Sequence, residues 1–131
     1  MERAGKAELM SERWTLIVED DAELGIAFAE VLDLSGMRAE LVQNGRLALA
    51  ALAHARPDLV LLDLHLPEVS GPEILDYIRN NEHLKTTHVV IVSADAVRAE
   101  QLKEKVDLVL VKPISFTEIF SLAERFFSIS V

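Results

Sequence analysis

The chain has 131 residues, 50% of them hydrophobic and 27% charged, which is enough for one domain with a sizeable core and too little for two. A formal charge of -9, with 13 scattered Lys plus Arg against 22 Asp plus Glu, argues against direct nucleic-acid binding. The absence of cysteine excludes a disulfide framework and thiolate chemistry, and no apolar run approaches the roughly 18 residues of a membrane span.

The opening residues contain no signal-peptide core, so residues 1–12 are expected to form a flexible leader on a soluble, cytoplasmic protein. From residue 14 strand-like and helix-like segments alternate. "WTLIV" (14–18) reads as a first buried strand, and "AELGIAFAEVLDLSG" (22–36) as a helix stopped by Gly36. "AELV" (39–42) is a second strand, "GRLALAALAHA" (45–55) a second helix, and "PDLVLLD" (57–63) a third strand. Pro72 suits the first turn of a helix ending near Asn80. "HVVIVS" (88–93) and "LVLV" (108–111) are the fourth and fifth strands. The last helix, 115–127, opens with a capping box in which Ser115 is followed three residues later by Glu118. Near-continuous apolar strands need helices on both faces, so the expected fold is α/β: a five-stranded, doubly wound parallel sheet.

In such sheets ligands bind outside the carboxyl ends of the strands. Each strongly polar exception follows a strand: Glu19, Asp20 and Asp21 the first, Asp63 the third, Ser93 the fourth and Lys112 the fifth. With the third strand beside the first, Asp63 is expected to approach Glu19 and Asp20. Taken singly, Asp20 or Asp21 reads equally well as a helix start whose carboxylate favours the dipole. Taken together, like charges are unfavourable unless a cation compensates them. Oxygen-only donors point to Mg²⁺, with Mn²⁺ as a substitute. Lys112 then partners an anion and Ser93 offers its hydroxyl. The set suits phosphoryl transfer, with Asp63 as the nucleophile that becomes an acyl phosphate. A carboxylate is already ionised near pH 7 and needs no separate base.

The segments "LIVEDD" (16–21), "LLDLHLPEVSG" (61–71), "VIVSAD" (90–95) and "LVKPI" (110–114) resemble, in this order, the receiver domain of two-component response regulators, and among these the single-domain receivers. The resemblance covers roughly residues 13–127, inside an expected domain of 13–131. It implies a flavodoxin-like strand order 2-1-3-4-5. It places the metal-binding acidic pair on Glu19 and Asp20, the phosphoacceptor on Asp63, the hydroxyl switch on Ser93 and the phosphate-sensing lysine on Lys112. The backbone carbonyl of His65 joins Asp63 among the metal ligands, and Asp21 stays outside them. Pro67 and Gly71 match the loop after the acceptor, where Gly71 is expected to permit a backbone conformation barred to other residues. Lys112 and Pro113 match the family's cis peptide.

The donor the resemblance implies is a phosphohistidine on a sensor histidine kinase or histidine phosphotransfer protein. The chain would catalyse its own aspartyl phosphorylation and dephosphorylation, and the output would be altered binding of a downstream protein. His65 and Asp95, each two residues beyond a site residue, fall where receivers tune dephosphorylation.

Two departures stand out. Receivers usually carry Tyr or Phe three residues before the lysine, where this chain has Val109, with no ring to swing. From Ser93 to Lys112 is 19 residues, about three fewer than usual and so nearly one helical turn. Lys105 and Val106 stand in place of the customary Gly-Ala. The fourth helix, within "AVRAEQLKEK", is therefore expected to be short, displaced or poorly ordered. A dimer through the face of the fourth helix, fifth strand and fifth helix does not follow, which leaves a monomer or a weak homodimer.

The main alternative is a receiver-shaped interaction module that is never switched. A haloacid-dehalogenase-type hydrolase would want an acid where His65 stands, and a flavodoxin-like cofactor binder would not place "EDDAE" at its phosphate loop. His54, His83 and His88 read as surface or helix-end residues, Trp14 as core, and Phe126 or Phe127, if exposed, as a partner face. With no output region expected after Phe127, the chain reads as a single-domain relay or a receiver cut from a longer polypeptide.

Overall fold

The computed structural model describes residues 13–127; the expected leader, 1–12, and residues 128–131 lie outside the described residues. Five apolar runs form the strands β1 (Trp14–Val18), β2 (Arg38–Val42), β3 (Leu59–Leu62), β4 (His88–Ser93) and β5 (Leu108–Val111). All neighbours are parallel and the order is β2-β1-β3-β4-β5, which is the flavodoxin-like arrangement expected. Between the strands run α1 (Ala22–Leu34), α2 (Gly45–His54), α3 (Gly71–Asn80) and α4 (Ala96–Leu102), and α5 (Phe116–Phe127) closes the chain.

Alternate strand residues point to opposite faces, so a sheet covered on both sides must be apolar at every central position. β3 meets this requirement with four buried residues in succession. Val60 and Leu62 face α2, α3 and α4 in one core cluster. Leu59 and Leu61 face α1 and α5 in the other. Each such side chain contributes roughly 1.5–3 kcal/mol by leaving water. The β2 edge is different: Arg38 and Glu40 are exposed and guard it with charge.

Each helix starts at a residue that caps it. The side chains of Asp21, Asn44, Ser70, Asp95 and Ser115 accept from the amides of Leu24, Leu47, Glu73, Arg98 and Glu118. These bonds satisfy amides that the first turn leaves without a partner. At α5 the box is reciprocal, since the Ser115 amide also donates to Glu118 Oε2 at 3.2 Å. α1 ends as expected at Gly36, whose φ of 91° lets the Met37 amide return to the Leu32 carbonyl at 3.0 Å.

The shortened segment resolves into a seven-residue α4 followed by a 3-10 turn at Lys103–Lys105. Arg79 holds the turn in place, its Nε donating to the Lys105 carbonyl at 2.8 Å.

Some peripheral readings change. Phe127 is buried, with its carbonyl accepting from Arg13 Nη1 at 2.9 Å, and Phe126 is half-buried; the exposed aromatics are Phe116 and Phe120. The α5 register places the ring of Phe127 in the core with Ile119, Leu122 and Ala123. Trp14 is half-buried, with the Arg38 guanidinium 5.0 Å from its ring. His54 ends α2, while His88 opens β4 beside Asp107 and Phe126. Among the described residues no helix is long and apolar enough to cross a membrane.

Candidate functional site

The ladders of the sheet continue one residue past three strands. The Glu19 amide donates to the Val42 carbonyl at 3.1 Å, the Asp63 amide to Val18 at 3.0 Å and the Lys112 amide to Ser93 at 2.9 Å. These bonds fix Glu19 and Asp63 on neighbouring strands, and Lys112 two strands beyond Asp63, along the carboxyl edge. β1 and β3 are immediate neighbours in register through Val18 and Leu62, so the next residue on each brings the two carboxylates together.

One oxygen each from Glu19, Asp20 and Asp63 lies within 4.8 Å of the others. Glu19 and Asp63 are buried and Asp20 is exposed, so the cluster opens to solvent on the Asp20 side. Lys112 Nζ lies 2.7 Å from Glu19 Oε1 and 3.1 Å from Asp63 Oδ2, joining the pair through one cation. Asp21 turns away to cap α1, though its amide donates to Glu19 Oε2 at 3.2 Å. The helix-start reading of "EDDAE" thus holds for Asp21, while Glu19 and Asp20 lie in the acidic cluster.

Burial pushes the Glu19 carboxyl up to about 7, against the lowering effect of its Lys112 bond, and the nearby Asp63 charge adds to the rise. Burial pulls Lys112 down, but its bonds to Glu19 and Asp63 outweigh this and leave it raised. An all-oxygen donor set, with one member that burial holds toward its protonated form, fits a hard divalent cation. Glu19, Asp20 and Asp63 are the side chains that could hold it.

The segment behind Asp63 is held close from two sides. A methyl group on Gly71 would lie 2.5 Å from the Asp63 carbonyl oxygen and from Leu64 Cα. Gly71 is thus required by close backbone approach; the left-handed residue in this loop is Glu68, at φ 70°. Opposite, Gly45 abuts Val69, its amide donates to the Pro67 carbonyl at 3.3 Å, and Arg46 Nε reaches Glu68 Oε2 at 3.0 Å. The Lys112–Pro113 bond is cis, as expected.

Residues 15–124 match the response regulator receiver domain. The chain belongs to that family. Its receiver sequence is 34% identical over 86 residues to the polar-differentiation response regulator DivK of Brucella anthropi, a stretch that is 66% of this chain and 70% of that protein. The CheY-like response regulator receiver domain from Methylobacillus flagellatus superposes with a TM-score of 0.77 at 30% identity, over 87% of this chain and 98% of that one. The phosphorylated cyanobacterial phytochrome response regulator RcpA gives 0.78 at 26% identity, over 91% and 96%.

Within this receiver, Ser93 is fully buried at the end of β4 and its Oγ accepts from the Asp95 amide at 3.1 Å. His65 and Asp95 meet directly, with Nε2 and Oδ2 3.2 Å apart, and the His65 amide donates to Asp63 Oδ1 at 3.2 Å. The Arg98 amide, ahead of the histidine, holds the Asp95 carboxyl below its ordinary value. Val109 is half-buried against the core cluster under α4. Sequence reasoning missed Asp95 as a helix cap, although an Asp three residues before Arg98 at a helix start was the available signal. It also missed Gly45 and Arg46 beneath the loop after Asp63, where nothing local marks a contact between segments more than twenty residues apart.

Proposed function

We propose that this receiver takes a phosphoryl group from a phosphohistidine onto Asp63 with Mg²⁺ bound, and thereby changes its binding to a protein partner in the cytoplasm. The observation that carries the proposal is the meeting of a buried aspartate with Lys112, Glu19 and Asp20 at the carboxyl edge of one parallel sheet. A bound Mg²⁺ would offset negative charge on the transferring group and on the carboxylates.

An Asp63 carboxylate oxygen attacks phosphorus, the P–O bond forms as the P–N bond to the donor imidazole breaks, and the imidazole departs with the electron pair. Glu19 and Asp20 would hold the cation beside Asp63, with the backbone carbonyl of His65 as a further oxygen donor. Lys112 shifts its ion pair to a phosphoryl oxygen, and the Ser93 hydroxyl donates to another. Hydrolysis restores the carboxylate: water attacks phosphorus in line, the acyl P–O bond breaks with its electron pair on Asp63, and the water's proton is lost to phosphate or solvent as inorganic phosphate leaves. His65 and Asp95 border the path of that water and set the lifetime of the acyl phosphate. The donor is a sensor histidine kinase or a histidine phosphotransfer protein, by kinship with the family.

Incubation with Mg²⁺ and a small acyl-phosphate donor, followed by intact mass measurement, tests the reading. A gain of one phosphoryl group that needs Mg²⁺ and vanishes in Asp63→Asn is the expected result. Val109 supports a second reading, a constitutive interaction module. A folded protein that gains no adduct, with rapid decay excluded by sampling at early times, would establish that reading instead.

A further inference from the structure

We propose that Asp95 is the joint through which the state of Asp63 sets the order of α4, in place of the swinging ring that Val109 lacks. This rests on the phosphorylation of Asp63 proposed above. Asp95 is bonded in three directions. Its amide donates to Ser93 Oγ at 3.1 Å, its Oδ1 accepts the Arg98 amide at 2.9 Å as the cap of α4, and its Oδ2 lies 3.2 Å from His65 Nε2. His65 completes the circuit, since its own amide donates to Asp63 Oδ1 at 3.2 Å. Of the two residues that anchor Asp95 from outside α4, His65 lies two residues beyond Asp63 in the chain and Ser93 ends β4, the strand paired with β3.

α4 is the element on which such a joint has the greatest effect. It has seven residues, of which only Ala99 and Leu102 are buried, and the 3-10 turn that follows buries none. A helix this short cannot hold itself by propagation, so its cap is a large share of its local stability. Val109 is β-branched and stiff, and offers no side-chain movement to replace the relay.

Phosphorylation disturbs both anchors at once. A phosphoryl group on one Asp63 oxygen removes the carboxylate charge to which the His65 amide donates, and leaves that amide a weaker carbonyl acceptor or a phosphoryl oxygen. The Ser93 hydroxyl, turning to donate to the phosphoryl group, draws its oxygen away from the Asp95 amide. Asp95 then cannot keep its place under the Arg98 amide, and the first turn of α4 opens. The residue so uncovered is Ala99, the buried residue nearest that end of α4, whose core cluster the half-buried Val109 packs against.

Amide hydrogen exchange over residues 96–106 of the full chain, with a small acyl-phosphate donor and Mg²⁺ and with intact mass recorded in parallel, tests the joint. Phosphorylation is expected to speed exchange in this segment by about fivefold, the factor that one helix cap is worth, and to leave α5 unchanged. Asp95→Ala is expected to show the fast exchange without phosphorylation and no further rise. Asp95→Asn, which caps equally well, is expected to keep the slow basal rate. In Ser93→Ala the rise per phosphorylated molecule, normalised to whatever adduct fraction the intact mass records, is expected to be much smaller. An adduct on the parent protein with unchanged exchange in α4 would overturn the joint and leave Asp63 phosphorylation standing, as would a full rise in Ser93→Ala. No adduct at all would overturn the phosphorylation, and the joint with it.

Discussion

Glu19 is the residue whose chemistry can be checked most directly. Its carboxyl is raised from an ordinary 4.5 to about 7 by burial, so the folded protein prefers it protonated where the unfolded chain does not. The stability this confers is complete below about pH 4.5 and is lost as pH rises through about 7. A divalent cation needs the ionised form and competes with that proton. Mg²⁺ affinity is therefore expected to climb between about pH 6 and pH 8 and then level off. In Glu19→Gln it should be weaker and nearly flat over the same range, as measured by calorimetric titration. An equally steep rise in Glu19→Gln would assign the proton to another group. Lys112 has the opposite chemistry but the same sign of shift: its contribution is complete below its ordinary 10.5 and disappears only in alkali, above the raised value.

At the level of elements, the strands and the cap of α5 were legible and the approaches between segments were not. β1 and β5 fall on the residues expected because each apolar run is bounded by residues with other work to do. β3 begins later than the run suggests, since Asp58 spends its carboxylate on the Trp14 amide at 2.9 Å and the Pro57 carbonyl accepts from Thr87 Oγ1 at 2.8 Å. The Ser115 and Glu118 box was readable from a spacing of three, because both of its bonds are local. Ser115→Ala is expected to cost about 1 kcal/mol in urea denaturation. Gly71 was marked by its place in the loop, but the reason for it was not readable, since the atoms it must admit belong to Asp63 and Leu64. A methyl there meets backbone that cannot step aside. Gly71→Ala is thus expected to displace the acceptor segment, lowering both the melting temperature and the yield of acyl phosphate. Full phosphorylation at unchanged stability would show that the loop gives way freely.

Across the whole molecule, two cores on either side of one sheet support a site that lies at its edge. Because the sheet is the wall of both, a cavity on one face reaches the site through the strands that carry it. Leu75, fully buried beneath the sheet, belongs to the α2–α4 side. Leu75→Ala is expected to lose roughly 2–5 kcal/mol by chemical denaturation. Magnesium should return part of this, because a ligand that binds only the folded state stabilises it in proportion to its occupancy.

The single tryptophan gives these measurements a division of labour. Trp14 opens β1 while Glu19 follows its last residue, so about 16 Å of extended chain separates the indole from the carboxylates at roughly 3.3 Å per residue. With its ring stacked under Arg38, the indole is tied to the β1–β2 edge at the far end of the sheet. Its emission is expected to follow the loss of the fold in denaturant while remaining dark to ion binding and to phosphorylation of Asp63. The native protein thus holds a built-in optical gauge of unfolding that occupancy of the site leaves undisturbed.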